Sequence, residues 1–170
     1  MSLVVINGTP GSGKDAFVEC CQEILGSNCL NVSTVDFVKE VAKGCGWDGT
    51  KTAANRKFLS ELKRVLTEWN DLPYKATMQR IMHFLTEGDG KDRNKPIVIF
   101  VHCREPEEIE RFKLMHSAVT LLIHRPFADQ APQSNESDAH VFDYEYDYEI
   151  NNDGTIDELR AKADAFLKML

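Results

Sequence analysis

Apolar positions along the chain alternate between two periods. Leu3-Val4-Val5-Ile6-Asn7 is a continuous apolar run closed by Gly8, the pattern of a strand buried on both faces of a parallel sheet. From Asp15 to Leu25 the period changes: Phe17, Cys20, Cys21 and Ile24 share one helical face, and Gly26 ends it. Cys29 to Val32 reads as a second strand. Ser33 or Thr34 would cap a helix from Val35 to Lys43, stopped by Gly44 and Gly46. A long helix is predicted from Lys51 to Trp69, with Phe58, Leu59, Leu62, Leu66 and Trp69 on one side, and another from Tyr74 to Thr86 after the break at Asp71-Leu72-Pro73.

The polar stretch Glu87 to Pro96 is a solvated loop leading to Ile97–Val101, a β-branched run that reads as a central strand. Pro106 opens a helix to Met115, and Val119–Ile123 is a further buried strand. Ala128 to Phe142 is polar, irregular and longer than an ordinary connection, which marks a functional lid or a partly disordered stretch. Tyr148–Asn151 is an edge strand. After the turn at Asn152-Asp153-Gly154, Thr155-x-x-Glu158 is a capping box, and Ile156, Leu159, Ala163, Phe166, Leu167 and Leu170 line the buried face of the closing helix. Strands alternating with helices predict one α/β domain with a mostly parallel sheet.

Composition narrows the possibilities. With 170 residues, 42% hydrophobic and 28% charged, the chain can bury one good core. No apolar run is long enough for a membrane helix, and MSLVVINGTP lacks the signature of a targeting peptide, so the expected location is cytoplasmic. Five cysteines without a C-x-x-C spacing argue against a disulfide framework or a zinc cluster and read as small buried apolar residues. A net charge of −7 opposes binding to nucleic acid, so an anionic small ligand would need a local basic cluster. Nothing in the composition speaks to oligomeric state.

The strongest chemical signal follows the first strand. Gly8, Gly13 and Lys14 meet the spacing G-x-x-x-x-G-K within GTPGSGKD. Glycines let the backbone curl until successive N–H groups face one anion, the following helix adds its positive end, and the Lys14 ammonium reaches the β- and γ-phosphates. Gly8, Pro10, Gly11, Ser12, Gly13, Lys14, Asp15 and Ala16 are therefore the expected ATP-binding residues. The usual Ser or Thr that serves Mg²⁺ is replaced by Asp15, whose carboxylate either serves the metal, directly or through water, or stabilises the helix N-terminus.

GKD in place of GK[ST] resembles the phage-type deoxynucleoside monophosphate kinases and the animal-type phosphomevalonate kinases, both P-loop kinases. Several pieces are similar to the former: Asp36-Phe37-Val38-Lys39-Glu40, Gly46-Trp47-Asp48-Gly49 with Lys51 and Arg56, Cys103-Arg104-Glu105-Pro106-Glu107-Glu108, and Tyr148-Glu149-Ile150-Asn151-Asn152-Asp153-Gly154-Thr155. The resemblance implies a three-layer P-loop NTPase fold with a helical acceptor-binding insert at 35–86 and a lid segment at 125–143. It also implies ATP and Mg²⁺ as cofactors. His102 departs from it, standing where an acidic residue is expected at the end of the central strand.

Phosphoryl transfer needs several cations converging on the loop. Lys14, Arg104 and Arg125 are the catalytic candidates, because the two arginines follow predicted strands at the end where open α/β sheets bind ligands. Arg104 could alternatively pair with Glu107 or Glu108. Asp36, Lys51, Arg56 and Arg104 are the candidate acceptor contacts, against a solvated helix face for Lys51 and Arg56 and a helix-dipole role for Asp36. The histidines share no metal-ligand spacing, and Asn94-Lys95-Pro96-Ile97 is not a guanine-reading N-K-x-D. The sequence thus predicts transfer from ATP to a small phosphorylated acceptor, foremost a (deoxy)nucleoside monophosphate. The alternatives are a kinase for another metabolite such as phosphomevalonate and a non-catalytic nucleotide-binding or sensing protein.

Overall fold

The computed structural model describes residues 1–50, 52–87, 90–130 and 140–170. The chain forms two compact units, one made of Met1–Asn31 with Asp89–Leu170 and the other of Val32–Gly88. Strand β1 (Ser2–Asn7), helix α1 (Lys14–Leu25), strand β2 (Cys29–Ser33), helices α2 (Asp36–Gly44), α3 (Ala53–Asn70) and α4 (Leu72–Thr86), and strand β3 (Val98–His102) occur in that order. Helix α5 (Pro106–His116), strand β4 (Val119–His124), the short helix α6 (Pro126–Asp129), strand β5 (Tyr148–Asn151) and helix α7 (Ile156–Leu167) complete the chain.

The strands form one five-stranded parallel sheet in the order β2-β3-β1-β4-β5. β1 is its middle strand, with Val4 opposite Phe100 on one side and Val119 on the other, and Leu3 to Ile6 are accordingly buried. β5 is an edge strand, with Ile150 opposite Ile123. Alternate side chains divide between the two faces. Val4, Ile6, Phe100, Leu121 and Ile123 pack with Phe17 and Val18 of α1 and Leu159, Ala163 and Phe166 of α7. Phe17 meets Phe100 and Phe166 edge-on, with centroids 6.3 and 5.8 Å apart, the geometry favoured by ring quadrupoles. α5 packs against β1 and β4 with Ile109 and Phe112 buried. Burying rings of this size supplies about 1.5–3 kcal/mol each.

In the second unit α2, α3 and α4 pack on one another, with Val38, Ala42 and Ile81 buried. α3 contributes no fully buried residue: Leu59, Leu62 and Leu66 are half-buried, whereas Trp69 is 80% exposed and Phe58 lies at the surface. An apolar stripe identifies the face of a helix but not how far along it the neighbours reach.

Local differences from the sequence expectation have identifiable causes. Neither Ser33 nor Thr34 caps α2; instead the Asp36 carboxylate accepts from Ser33 N at 2.9 Å, and the helix begins one residue later than predicted. α4 begins at Leu72 because Pro73, lacking an N–H, fits the first turn while Asp71 takes the bend with φ 54°. Ile156 does not join the buried face of α7 but is 54% exposed, being the first residue of the helix, ahead of the packed turns. Cys45 is exposed, just past the end of α2, while the other four cysteines are buried. The capping box of Thr155 and Glu158 forms with both reciprocal bonds. Among the described residues no helix is long and apolar enough to cross a membrane.

Candidate functional site

The loop between β1 and α1 lies at the C-terminal end of the sheet, where side chains from several strand ends meet. Two of its glycines, Gly8 and Gly13, are demanded by close approach. A Cβ on Gly8 would stand 2.5 Å from Ile123 O, and one on Gly13 would stand 2.1 Å from Asn152 Nδ2, with Gly13 at φ 91° besides. Asn152 Nδ2 donates to Ser12 O at 2.8 Å, so the turn after β5 holds the loop from outside. Lys14 Nζ folds back to donate to Gly8 O at 2.5 Å and Thr9 O at 3.0 Å, which keeps the cation over the loop.

Two features test whether the loop suits a nucleotide phosphate. The positions that a side chain would fill are glycines, and Ser12 Oγ is buried without a hydrogen-bond partner among the described residues. Buried hydroxyls rarely go unsatisfied, and an anionic oxygen in the loop would give this one its acceptor. Asp15, in the first turn of α1, has its side chain 87% exposed, and His102 Nε2 is 3.9 Å from Asp15 Oδ1. Among the described residues no group of three or more His, Cys, Asp or Glu could hold a metal by itself. Mg²⁺ commonly takes one or two carboxylates together with substrate phosphates and water, so a lone carboxylate beside a phosphate loop is a donor set that fits it.

Beside the loop a cavity of about 190 Å³ is lined by Gly13, Ala16, Arg125, Asn152, Gly154, Thr155, Ile156 and Leu159. Arg125 precedes α6, and its backbone N–H donates to Asp129 Oδ2 at 3.1 Å. Asp129 Oδ1 accepts from the Thr9 hydroxyl at 2.6 Å, and His124 Nδ1 lies 3.3 Å from Asp129 Oδ2. The other ring nitrogen of His124 is 3.2 Å from Glu149, and Phe142 stacks on the imidazole at 5.5 Å and 8°. Arg104 is exposed one residue past Cys103, and its carbonyl accepts from Asn7 Nδ2 at 3.4 Å.

The first unit therefore contains Gly8 to Ala16, Arg104 and Arg125, with Arg125 and the loop sharing one cavity. Asp36 and Arg56 belong to the second unit. There Asp36 pairs with Arg80 at 3.2 Å and Lys39 at 3.5 Å, and Arg80 also pairs with Glu40. Arg56 is half-buried in the first turn of α3. Lys51 and positions 131–139 of the predicted lid segment lie outside the described residues.

Sequence reasoning missed Asn7, Asp129, His124, Tyr146, Asn152 and Arg80. Asn7 left one trace, a polar residue closing an apolar run. Asn152 looked like turn chemistry alone, because its contact with Ser12 spans 140 positions.

Fold and site together define an α/β protein with a glycine loop of G-x-x-x-x-G-K spacing at the end of a parallel sheet. Two solved structures are similar to it in fold. TT1252 from Thermus thermophilus aligns at a TM-score of 0.57 and 16% identity, covering 99% of this chain and 97% of that one. Shikimate kinase from Aquifex aeolicus vf5 aligns at a TM-score of 0.49 and 13% identity over 98% and 96% of the two chains. No protein-family model matches the chain, and no curated protein sequence does.

Proposed function

We propose that the chain is a Mg²⁺-dependent P-loop kinase that transfers the γ-phosphoryl group of ATP to a small phosphorylated acceptor, a (deoxy)nucleoside monophosphate. The observation that carries this reading is the conjunction of Lys14, held over a glycine loop, with an adjoining cavity bordered by Arg125 and the Asn152–Ile156 turn. The loop takes the phosphates and the cavity takes the base. The second unit, Val32–Gly88, is the part we assign to the acceptor, through Asp36, Lys51 and Arg56.

Phosphoryl transfer requires positioning and charge neutralisation more than covalent participation by the protein. Lys14 and the loop N–H groups would orient the β- and γ-phosphates, and Arg104 and Arg125 would offset negative charge spreading over the transferred group. Asp15 would hold Mg²⁺, which would supply Lewis-acid neutralisation of phosphate charge. No general base is required, because the acceptor phosphate is already ionised.

One observation favours a second reading, a nucleotide-binding protein without turnover. His102, rather than a carboxylate, ends β3, with its Nε2 3.9 Å from Asp15 Oδ1. Incubating the protein with Mg-ATP and a panel of nucleoside monophosphates, while following ADP, separates the two. Acceptor-dependent ADP supports the kinase. ATP binding without an acceptor that raises ADP above background overturns it. Lys14→Ala should abolish the activity, and turnover surviving that change would belong to a contaminant.

A further inference from the structure

Asn7 ends β1 and is fully buried, where an apolar side chain would simply continue the run from Leu3 to Ile6. Burying a carboxamide costs free energy unless its polar atoms are paired, and here both ends are used. Oδ1 accepts from Gly8 N, the first amide of the loop, at 2.8 Å. Nδ2 donates to the Tyr146 hydroxyl at 2.8 Å and to the Arg104 carbonyl at 3.4 Å. The Tyr146 hydroxyl donates onward to Val141 O at 2.8 Å. Burial pushes the Tyr146 phenol up to about 12, so this chain of bonds does not titrate across the ordinary pH range.

Three segments diverge at this point: the phosphate loop from β1, the Cys103–Arg104 connection from β3, and the strand-entry segment carrying Tyr146. The ladder between β1 and β3 ends at Ile6 opposite His102, followed by the longer bond from Cys103 N to Ile6 O at 3.4 Å. Beyond that bond, the Asn7 side chain takes over from the sheet in joining Arg104 to the loop.

We propose that Asn7 is a positioning residue that holds the Arg104 backbone in register with the phosphate loop, so that Arg104 meets the terminal phosphate of bound nucleotide from a fixed base. The proposal rests on the kinase reading for the identity of the ligand. It goes beyond that reading in predicting that Asn7 acts on discrimination between nucleoside tri- and diphosphate rather than on phosphate binding in general. Only the triphosphate has the group that Arg104 would touch.

The test is the ratio of Mg-ADP to Mg-ATP dissociation constants, measured by titration calorimetry for the wild type, Asn7→Ala, Tyr146→Phe, Arg104→Ala and the Asn7→Ala/Arg104→Ala double variant. Loss of a charge-assisted contact to the γ-phosphate should lower the preference for ATP about tenfold in Arg104→Ala. Asn7→Ala should lower it in the same direction, and its effect on the ratio should vanish in the Arg104→Ala background. Tyr146→Phe, which removes one hydroxyl and leaves the ring, should lower it about threefold and keeps the proposal testable if Asn7→Ala does not fold. An unchanged ratio in Asn7→Ala and Tyr146→Phe, with both nucleotides weakened equally or not at all, overturns the proposal and leaves the kinase reading intact. So does an Asn7 effect that persists undiminished without Arg104. Absence of acceptor-dependent ADP formation overturns the kinase reading alone, since the ratio is an equilibrium quantity read without turnover.

Discussion

The Thr9 hydroxyl donates to Asp129 Oδ1 at 2.6 Å, joining the β1–α1 loop to the short helix that follows β4, 120 positions away. Thr9 is fully buried, and the same carboxylate receives the Arg125 N–H, so one side chain sets both the loop and an arginine that borders the cavity. Asp129→Ala would leave the Thr9 hydroxyl buried without its acceptor. The expected cost is about 1–3 kcal/mol, read as a lower midpoint in urea unfolding, together with weaker nucleotide binding. Asp129→Asn keeps an acceptor oxygen and should lose less. Equal stability of Asp129→Ala and wild type would show that the contact contributes nothing.

Gly13 combines a positive φ with the nearest approach around the loop, that of Asn152 Nδ2. Gly13→Ala should destabilise the protein by about 1–3 kcal/mol through backbone strain alone and displace the Asn152 side chain from Ser12 O. Binding of ATP should fall with it. Gly44→Ala is the control, since it sits in helix α2 with open space around its Cα, and it should be neutral or mildly stabilising. A Gly13→Ala protein with wild-type melting temperature and affinity would contradict the close approach.

Asp147 links α5 to β4. Its carboxylate accepts from Lys113 Nζ at 2.6 Å and from Thr120 N and Oγ1 at 2.9 Å each. Burial alone would raise its pKa, but the bonds from Lys113 and Thr120 outweigh it and hold the carboxyl below its ordinary value. A pKa lower in the folded than in the unfolded chain gives a contribution fully present above about pH 4, lost as pH falls through the folded value. Unfolding measured from pH 7 down to pH 3 should therefore show a smaller acid-induced loss of stability in Asp147→Asn than in wild type. At neutral pH that variant should be about 1 kcal/mol less stable, a modest figure because the carboxylate is partly solvated. Parallel acid profiles for the two proteins would refute the assignment.

Thiol titration should separate Cys45 from the rest. Cys20, Cys21, Cys29 and Cys103 are buried, and desolvation pushes Cys29 up to about 12 and Cys21 higher still. Ellman's reagent at pH 8 should label about one thiol rapidly in the native protein and all five after denaturation. Cys45→Ser should remove the fast phase. Two or more fast thiols in the native wild type would mean that at least one buried cysteine becomes accessible through ready local opening.

Much of this architecture was legible from local pattern because each signal has a local cause. The Leu3–Ile6 run is buried on both faces since β1 lies in the middle of the sheet, and Phe17, Cys20 and Cys21 fall on the face that α1 presents to it. The capping box of Thr155 and Glu158 involves atoms three residues apart, so it forms as read. Ile156 was misjudged for the opposite reason. Periodicity gives the direction of a side chain, while its exposure depends on whether a neighbour extends that far.

The sequence alone determined the alternation of strands and helices, and the Gly8–Lys14 loop with Asp15 at its end, because period, glycine placement and the following helix are properties of adjacent residues. Tertiary structure alone decided which distant groups serve that loop. Asn152 against Gly13, Asp129 on Thr9, and Asn7 between Gly8, Tyr146 and Arg104 are contacts that hydrogen-bond geometry specifies only after the sheet has brought its strand ends together. Single polar residues such as these carry no periodic signature. Their placement at the C-terminal end of a parallel sheet is what makes them part of a site.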